Sequence, residues 1–244
     1  MIFKSRIIRS SFFALVSVAM LSGTSFATGM PFPAVENGKV LLEEKNSPYV
    51  LEQGVVVAPN DSFVVEPGVT VLMGEFAKLM LQGTVKIKGT SDKPVVFCGA
   101  DSVVNWNGFH IMSSAQPFEV KNLVVENAFR NTVFRSNGVF ENVRFANNYY
   151  GLWIDESPDV SIAHCTMSHN RYALSVRAGR VVLNGTSVSE NVYGLYLETD
   201  GKIDGDTDLI RNNQESDIRS EAKDLKTSKK RVRRNVWHNI ESFF

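Results

Sequence analysis

A short hydrophobic motif recurs in the second half of the chain at an interval of about 21 residues. The sequence GLWI at 151–154 returns as ALSV at 173–176 and as GLYL at 194–197, and GFHI at 108–111 precedes it. The last residue of each copy serves as a register mark, with weaker copies at both ends of the series. The marks are Phe134, Ile154, Val176, Leu197 and Ile218, separated by 20, 22, 21 and 21 residues.

The residues around each mark alternate between apolar and polar, which is the pattern of a half-buried β-strand. Nine positions before the marks lies an apolar column, Val125, Phe145, Met167, Val188 and Leu209. A helical repeat would need apolar residues three or four apart, and the leucine framework of leucine-rich repeats is absent. The pattern therefore predicts an all-β protein, a single-stranded right-handed parallel β-helix solenoid of about eight coils.

Two further columns follow from the same register. An asparagine column predicts a buried ladder in which amides bond along the axis, formed by Asn148, Asn170, Asn191 and Asn212. The residue after each mark alternates in charge, which predicts an ion-pair ladder on the surface, formed by Arg135, Asp155, Arg177, Glu198 and Arg219. Pairs of this kind contribute little energy, but like charges would repel, so the alternation favours this register.

The first half of the chain carries motifs that resemble a known family. These are SPYVL at 47–51, VVEPGVTV at 64–71, GTVKIKGT at 83–90, PVVF at 94–97 and WNG at 106–108. Their succession is similar to the opening coils of bacterial exported right-handed β-helix proteins, which are related in fold to pectate lyases and polygalacturonases. The resemblance implies the fold but not the activity, because this fold hosts lyases, hydrolases, epimerases, adhesins and scaffolds.

The N-terminus predicts export. Three cations, Lys4, Arg6 and Arg9, precede an apolar run at 12–21, and Ala27 ends a segment suited to signal peptidase. We expect a signal peptide at 1–27 and a periplasmic or extracellular protein, with an uncleaved membrane anchor as the alternative. The predicted division is an N-terminal cap at 28–50, a β-helix at 51–221, and a basic tail or capping helix at 222–244.

Charge is unevenly distributed over the predicted mature chain. Residues 222–244 contain seven Lys and Arg against two acids, a net charge of +5, whereas residues 28–221 carry −8. The acidic body argues against a nucleic-acid partner. The tail either packs on the last coil or contacts a membrane surface or an acidic polymer. Of the two cysteines, Cys165 is expected in the core and Cys98 outside it, so no disulfide is predicted.

The leading candidate site is a strip of outward residues one position before the marks. Trp153 and Tyr196 are expected two coils, about 10 Å, apart, which suits alternate sugar rings. The predicted carbohydrate-binding strip consists of Trp153, Tyr196, Ser175 and His110, within a column that also holds Val133 and Asp217. Packing against a partner or the C-terminal tail is the alternative for these residues.

No catalytic residues are assigned from the sequence. Coils of 20–22 residues leave no room for long cleft loops, although a site of Asp155, Arg177 and Glu198 is conceivable. No metal or cofactor is expected, with calcium at Asp204, Asp206 and Asp208 as an alternative. The sequence favours an exported, non-enzymatic binding or scaffold module of the cell envelope, with polysaccharide or another envelope protein as partner. The competing hypothesis is a polysaccharide lyase, epimerase or glycoside hydrolase acting on an acidic glycan.

Overall fold

A computed structural model describes residues 29–100, 106–114 and 116–221. These residues form a parallel β-helix with two sheets, which we call sheet A and sheet B. Sheet B has two arms, and a typical coil contributes one strand to sheet A and one strand to each arm of sheet B. Sheet A contains eight strands, so the solenoid has about eight coils, and the predicted fold class is confirmed. No helix among the described residues is long and apolar enough to cross a membrane.

The strands are numbered in chain order. Sheet A consists of β1 (Met30–Pro31), β3 (Tyr49–Leu51), β6 (Thr70–Met73), β9 (Val95–Gly99), β12 (Leu123–Glu126), β15 (Arg144–Ala146), β18 (Thr166–Ser168) and β20 (Ser187–Val188). The first arm of sheet B consists of β2 (Lys39–Leu42), β5 (Ser62–Val65), β8 (Thr84–Lys88), β11 (Phe118–Lys121), β14 (Gly138–Glu141) and β17 (Ser157–Ala163).

The second arm of sheet B consists of β4 (Val55–Val57), β7 (Lys78–Leu81), β10 (Gly108–Met112), β13 (Arg130–Phe134) and β16 (Tyr150–Asp155). Two long strands, β19 (Tyr172–Asn184) and β21 (Tyr193–Gly205), run through both arms, and β22 (Ser216–Ser220) pairs with β21. A 3-10 turn, Glu44–Asn46, precedes β3.

Alternating side chains fill the interior, as the period-two pattern predicts. Along the second arm the inward column is formed by Val57, Leu81, Ile111, Val133, Ile154, Val176 and Leu197, all buried. Two register marks inferred from the sequence need correction. Val133, not Phe134, pairs with Ile154, and Ser220, not Ile218, pairs with Leu197. The coils at the two ends of the series therefore differ in length from the inferred ones.

The asparagine ladder is present, with one change of residue. The Asn148 amide donates to Asn170 Oδ1 at 3.0 Å, and that of Asn170 donates to Asn191 Oδ1 at 3.0 Å. The next acceptor is Asn213 Oδ1, 2.9 Å from the Asn191 amide, so the assignment of Asn212 is wrong. Asn212 is exposed and left-handed, with φ 61°, because it occupies the turn position just before the ladder.

A second ladder runs along the corner between the two arms. Ser136 Oγ accepts from the Ser114 N–H at 3.0 Å, and Ser157 Oγ accepts from the Ser136 N–H at 3.3 Å. The next residue of this column is Gly179, which pairs with Ser157. These short side chains satisfy backbone groups that the turn leaves without strand partners.

The described N-terminal residues already belong to the solenoid. β1 pairs with β3 and β2 pairs with β5, so the described part of the predicted cap at 28–50 is paired with the next coil of the β-helix. Phe32 packs against the core, and its ring stacks on buried Phe63 with centroids 6.3 Å apart. The predicted signal peptide and the C-terminal tail lie outside the described residues.

Candidate functional site

The polar and aromatic side chains of interest lie on the outer surface of the second arm. We call this surface the outer face, and it includes the adjoining halves of β19, β21 and β22. Its residues alternate with the buried core column and so point away from the interior. The outer face is formed by Lys78, His110, Arg130, Thr132, Tyr150, Trp153, Asp155, Tyr172, Ser175, Arg177, Tyr193, Tyr196, Glu198, Arg219 and Glu221.

The predicted carbohydrate-binding strip lies on this face, but it is largely covered. His110, Ser175 and Tyr196 retain 6%, 2% and 2% of their surface, and Trp153 is half-buried. The column that aligns with them contains Thr132 and Arg219 where Val133 and Asp217 were expected. The strip as an open row of aromatic rings is therefore a wrong prediction.

Two arginines cover the aromatic rings. The Arg130 guanidinium lies 4.3 Å from the centroid of the Trp153 ring, and that of Arg219 lies 5.5 Å from the Tyr196 ring. The Tyr196 hydroxyl donates to Glu221 at 2.9 Å. Because each cation rests on the negative face of a ring, the arginines shield Trp153 and Tyr196 from solvent.

A stack of three tyrosines borders the covered rings. Tyr150 and Tyr172 are stacked with centroids 4.9 Å apart, as are Tyr172 and Tyr193. Trp153 lies 5.6 Å from the Tyr150 ring. The 4.9 Å separation of the tyrosine rings matches the distance between coils, so the stack of tyrosines is a direct consequence of the repeat. The tyrosines are visible in the sequence at a 21–22-residue spacing, but nothing there indicates that they adjoin Trp153.

The predicted ion-pair ladder is only partly formed. Asp155 is paired with Arg177 on the next coil, and Glu198 occupies the coil after that. Arg135 instead pairs with Glu156 at 2.6 Å, because Phe134 takes the place opposite Asp155. Arg219 aligns with Tyr196, so Glu221 and not Arg219 follows Glu198. The ladder thus ends in two acids rather than continuing to alternate.

Burial changes the titration of several groups here. Burial raises the pKa of the Glu198 carboxyl; the Arg177 guanidinium opposes that rise, and Glu221 and Asp155 add to it. Burial, with Lys78 and Arg130 nearby, lowers the pKa of His110 to about 3. His110 is consequently a neutral imidazole at physiological pH, whereas Glu198 holds its proton more readily than an ordinary glutamate.

The outer face contains a concentration of polar atoms without partners. Among the described residues, six buried side-chain atoms have no hydrogen-bond partner, and all six lie on this face. They are His110 Nε2, Arg130 Nε, Thr132 Oγ1, Trp153 Nε1, Asp155 Oδ1 and Arg219 Nε. Buried polar groups are nearly always satisfied in folded proteins, so such a cluster marks a place where a bound molecule or water would supply the missing bonds.

Two of the three acids of the alternative calcium site have protein partners. Asp204 is paired with Arg180 at 2.6 Å, and Asp206 accepts the Gly185 N–H at 3.2 Å, so the carboxylates serve different partners. Within the described part of the chain, no group of three or more potential ligands could hold a metal ion.

Cys165 is buried and Cys98 is half-buried, and both are free thiols.

Comparison with known proteins identifies the fold. A family model described as "Right handed beta helix region" matches residues 101–214, which include β10 to β21 and most of the outer face. Neither the curated proteins nor the solved structures give a match. The repeat, the parallel pairing of successive coils and this match together make the chain a right-handed parallel β-helix protein.

Proposed function

We propose that this protein is an exported, non-enzymatic binding or scaffold module of the cell envelope that contacts polysaccharide through its outer face. The observation that carries the proposal is the restriction of the six unpaired buried polar atoms to this one surface. Sugars present hydroxyls that donate and accept hydrogen bonds, together with C–H faces that stack on aromatic rings. The outer face combines both kinds of partner.

Binding requires the covering arginines to move. Arginine side chains are long and flexible, and their stacking on Trp153 and Tyr196 is worth about 0.5–2 kcal/mol per pair, which a ligand can replace. With Arg130 displaced, a sugar ring stacks on Trp153, while the free indole N–H and the Thr132 hydroxyl bond its oxygens. The face is therefore a closed form of a binding surface rather than an open strip.

The proposal predicts that glycan binding depends on Trp153. On a glycan array, the mature protein is expected to retain a defined set of polysaccharides, and Trp153→Ala is expected to weaken their binding at least tenfold, or about 1.4 kcal/mol. Phe76→Ala is the matched control, because Phe76 is an exposed aromatic residue outside the outer face and should bind within about twofold of wild type.

Circular dichroism must show that the variants retain the β-helix. Trp153→Phe, which preserves most of the packing but removes the indole N–H, is expected to fall between wild type and Trp153→Ala. The proposal is wrong if the wild type retains no glycan, or if Trp153→Ala and Phe76→Ala bind equally well.

A second candidate function is hydrolysis or elimination on an acidic glycan. The observation that favours it is a pair of carboxylates in different environments. Burial raises the Glu198 pKa, and Arg177 pairs with Asp155. Two carboxyls held in different environments suit the roles of an acid and a base. If this alternative is right, the wild type releases new chain ends from polysaccharide. Glu198→Gln then abolishes the release, whereas the control Glu190→Gln does not. Glycan chains that stay intact with the wild type would exclude it.

A further inference from the structure

We propose that Lys78, His110, Arg130, Thr132 and Trp153 form a binding site for an oxyanion group at the β7–β16 end of the outer face. These residues lie on four neighbouring strands, β7, β10, β13 and β16. The site extends the proposed glycan-binding function, because it assigns a charged group to the ligand. It rests on that function only for the identity of the molecule that carries this group.

The register places the three uncharged members side by side. His110 pairs with Thr132, and Thr132 pairs with Trp153, so their side chains follow one another at about 4.8 Å per coil. All three project from the same side of the sheet, since their strand neighbours Ile111, Val133 and Ile154 face the core. The unpaired atoms Nε2, Oγ1 and Nε1 thus form a short row.

Two cations flank this row. The Arg130 guanidinium lies over the Trp153 ring, and its Nε is buried without a partner. Lys78 and Arg130 both act electrostatically on His110, which places both charges near the imidazole. Neither cation forms an ion pair with any described carboxylate, whereas Arg135, Arg144, Arg177 and Arg180 all do.

The composition of the row selects an anion. An indole N–H, an arginine Nε–H and a lysine ammonium are donors only, and a threonine hydroxyl and a neutral imidazole can each donate as well. Among the six unpaired atoms, Asp155 Oδ1 is the one that can only accept, and its carboxylate is already paired with Arg177. A set of convergent donors with two uncompensated cations fits a sulfate, phosphate or carboxylate group.

The imidazole of His110 can report whether an anion occupies the site. It is 94% buried, since only 6% of its surface is exposed, and its unpaired Nε2 lies in the row. The two groups that face it electrostatically are Lys78 on β7 and Arg130 on β13, and both disfavour the imidazolium. A bound anion would offset these charges, so anion binding should raise the low pKa of His110.

The test follows the His110 ring signals of the folded protein by NMR at neutral pH, where acetate is ionised, while sodium sulfate, sodium phosphate or sodium acetate is added at constant ionic strength. We expect at least one of these anions to shift the His110 ring signals in a saturable manner. Arg130→Gln should weaken the response at least tenfold, and Thr132→Val, which preserves the shape of the side chain, severalfold. Arg144→Gln, on sheet A, is the matched control and should respond as wild type.

The separate anions identify the group that the site takes. A response to acetate indicates a uronate carboxylate, and a response to sulfate or phosphate indicates an ester of that acid. The inference is overturned if no anion gives a saturable response, or if Arg130→Gln and Arg144→Gln respond alike. Anion binding without glycan binding would leave this site standing and refute the proposed function, whereas binding of neutral glycans alone would do the reverse.

Discussion

Replacing Asn170 by alanine is expected to lower the free energy of unfolding by about 3–5 kcal/mol, or to prevent folding. The Asn170 side chain accepts from the Asn148 N–H and donates to the carbonyls of Phe145 and Ser168 as well as to Asn191. Alanine would leave several of these buried groups without a partner, and each such group costs about 1–3 kcal/mol. Urea denaturation followed by circular dichroism measures the loss.

Asn212→Ala is the matched control for this prediction. Asn212 differs from its neighbour Asn213 only by one position, yet it is exposed and makes no rung of the ladder. Its replacement should cost about 1 kcal/mol or less, the cost of a left-handed turn residue. Equal losses for Asn170→Ala and Asn212→Ala would refute the register described here.

Replacing Gly179 by alanine is expected to cost at least about 3 kcal/mol. Gly179 has φ +106°, and a Cβ placed there would lie 1.9 Å from the Ser157 carbonyl oxygen. A backbone oxygen on the adjoining coil cannot move away without disturbing the strand pairing between β17 and β19. The variant therefore suffers both a disfavoured backbone conformation and a steric overlap.

Gly54→Ala provides the comparison, because its nearest neighbour would be 3.6 Å from the new Cβ. This variant should unfold within about 0.5–1 kcal/mol of wild type. Thermal and urea denaturation of the two glycine variants measure the difference. A Gly179→Ala protein as stable as Gly54→Ala would contradict the close approach of the two coils.

The sequence predicts the fold because stacked coils need the same kinds of side chain at the same positions in every coil. The column through Ile154, Val176 and Leu197 must be apolar, and the amides of Asn148, Asn170 and Asn191 must meet their neighbours. Such positions recur at a fixed interval and are readable from one chain. The ends of the series are less regular, so Phe134, Ile218 and Asn212 were misplaced by one or two residues.

The candidate site is less readable for a physical reason. Alternation along a strand tells which way Trp153 and Tyr196 point, but not what lies over them. Their covers, Arg130 and Arg219, reach them across strands and coils, and the sequence interval does not reveal this contact. The unpaired atoms of the outer face are likewise a property of three-dimensional packing. Of the residues proposed to bind the oxyanion, the sequence places only His110 and Trp153 in one column.

The most direct test of polysaccharide binding at the outer face is the indole N–H signal of Trp153 by NMR. The chain has three tryptophans. The Trp106 indole N–H donates to the Glu126 carbonyl at 2.9 Å, so its signal serves as an internal reference. The Trp153 indole N–H has no hydrogen-bond partner. Trp237 lies outside the described residues. Tryptophan-to-phenylalanine variants assign the signals. On addition of a glycan retained on the array, we expect the Trp153 signal to shift in a saturable manner while that of Trp106 stays fixed. A Trp153 signal that stays unchanged when the glycan is saturating would contradict it.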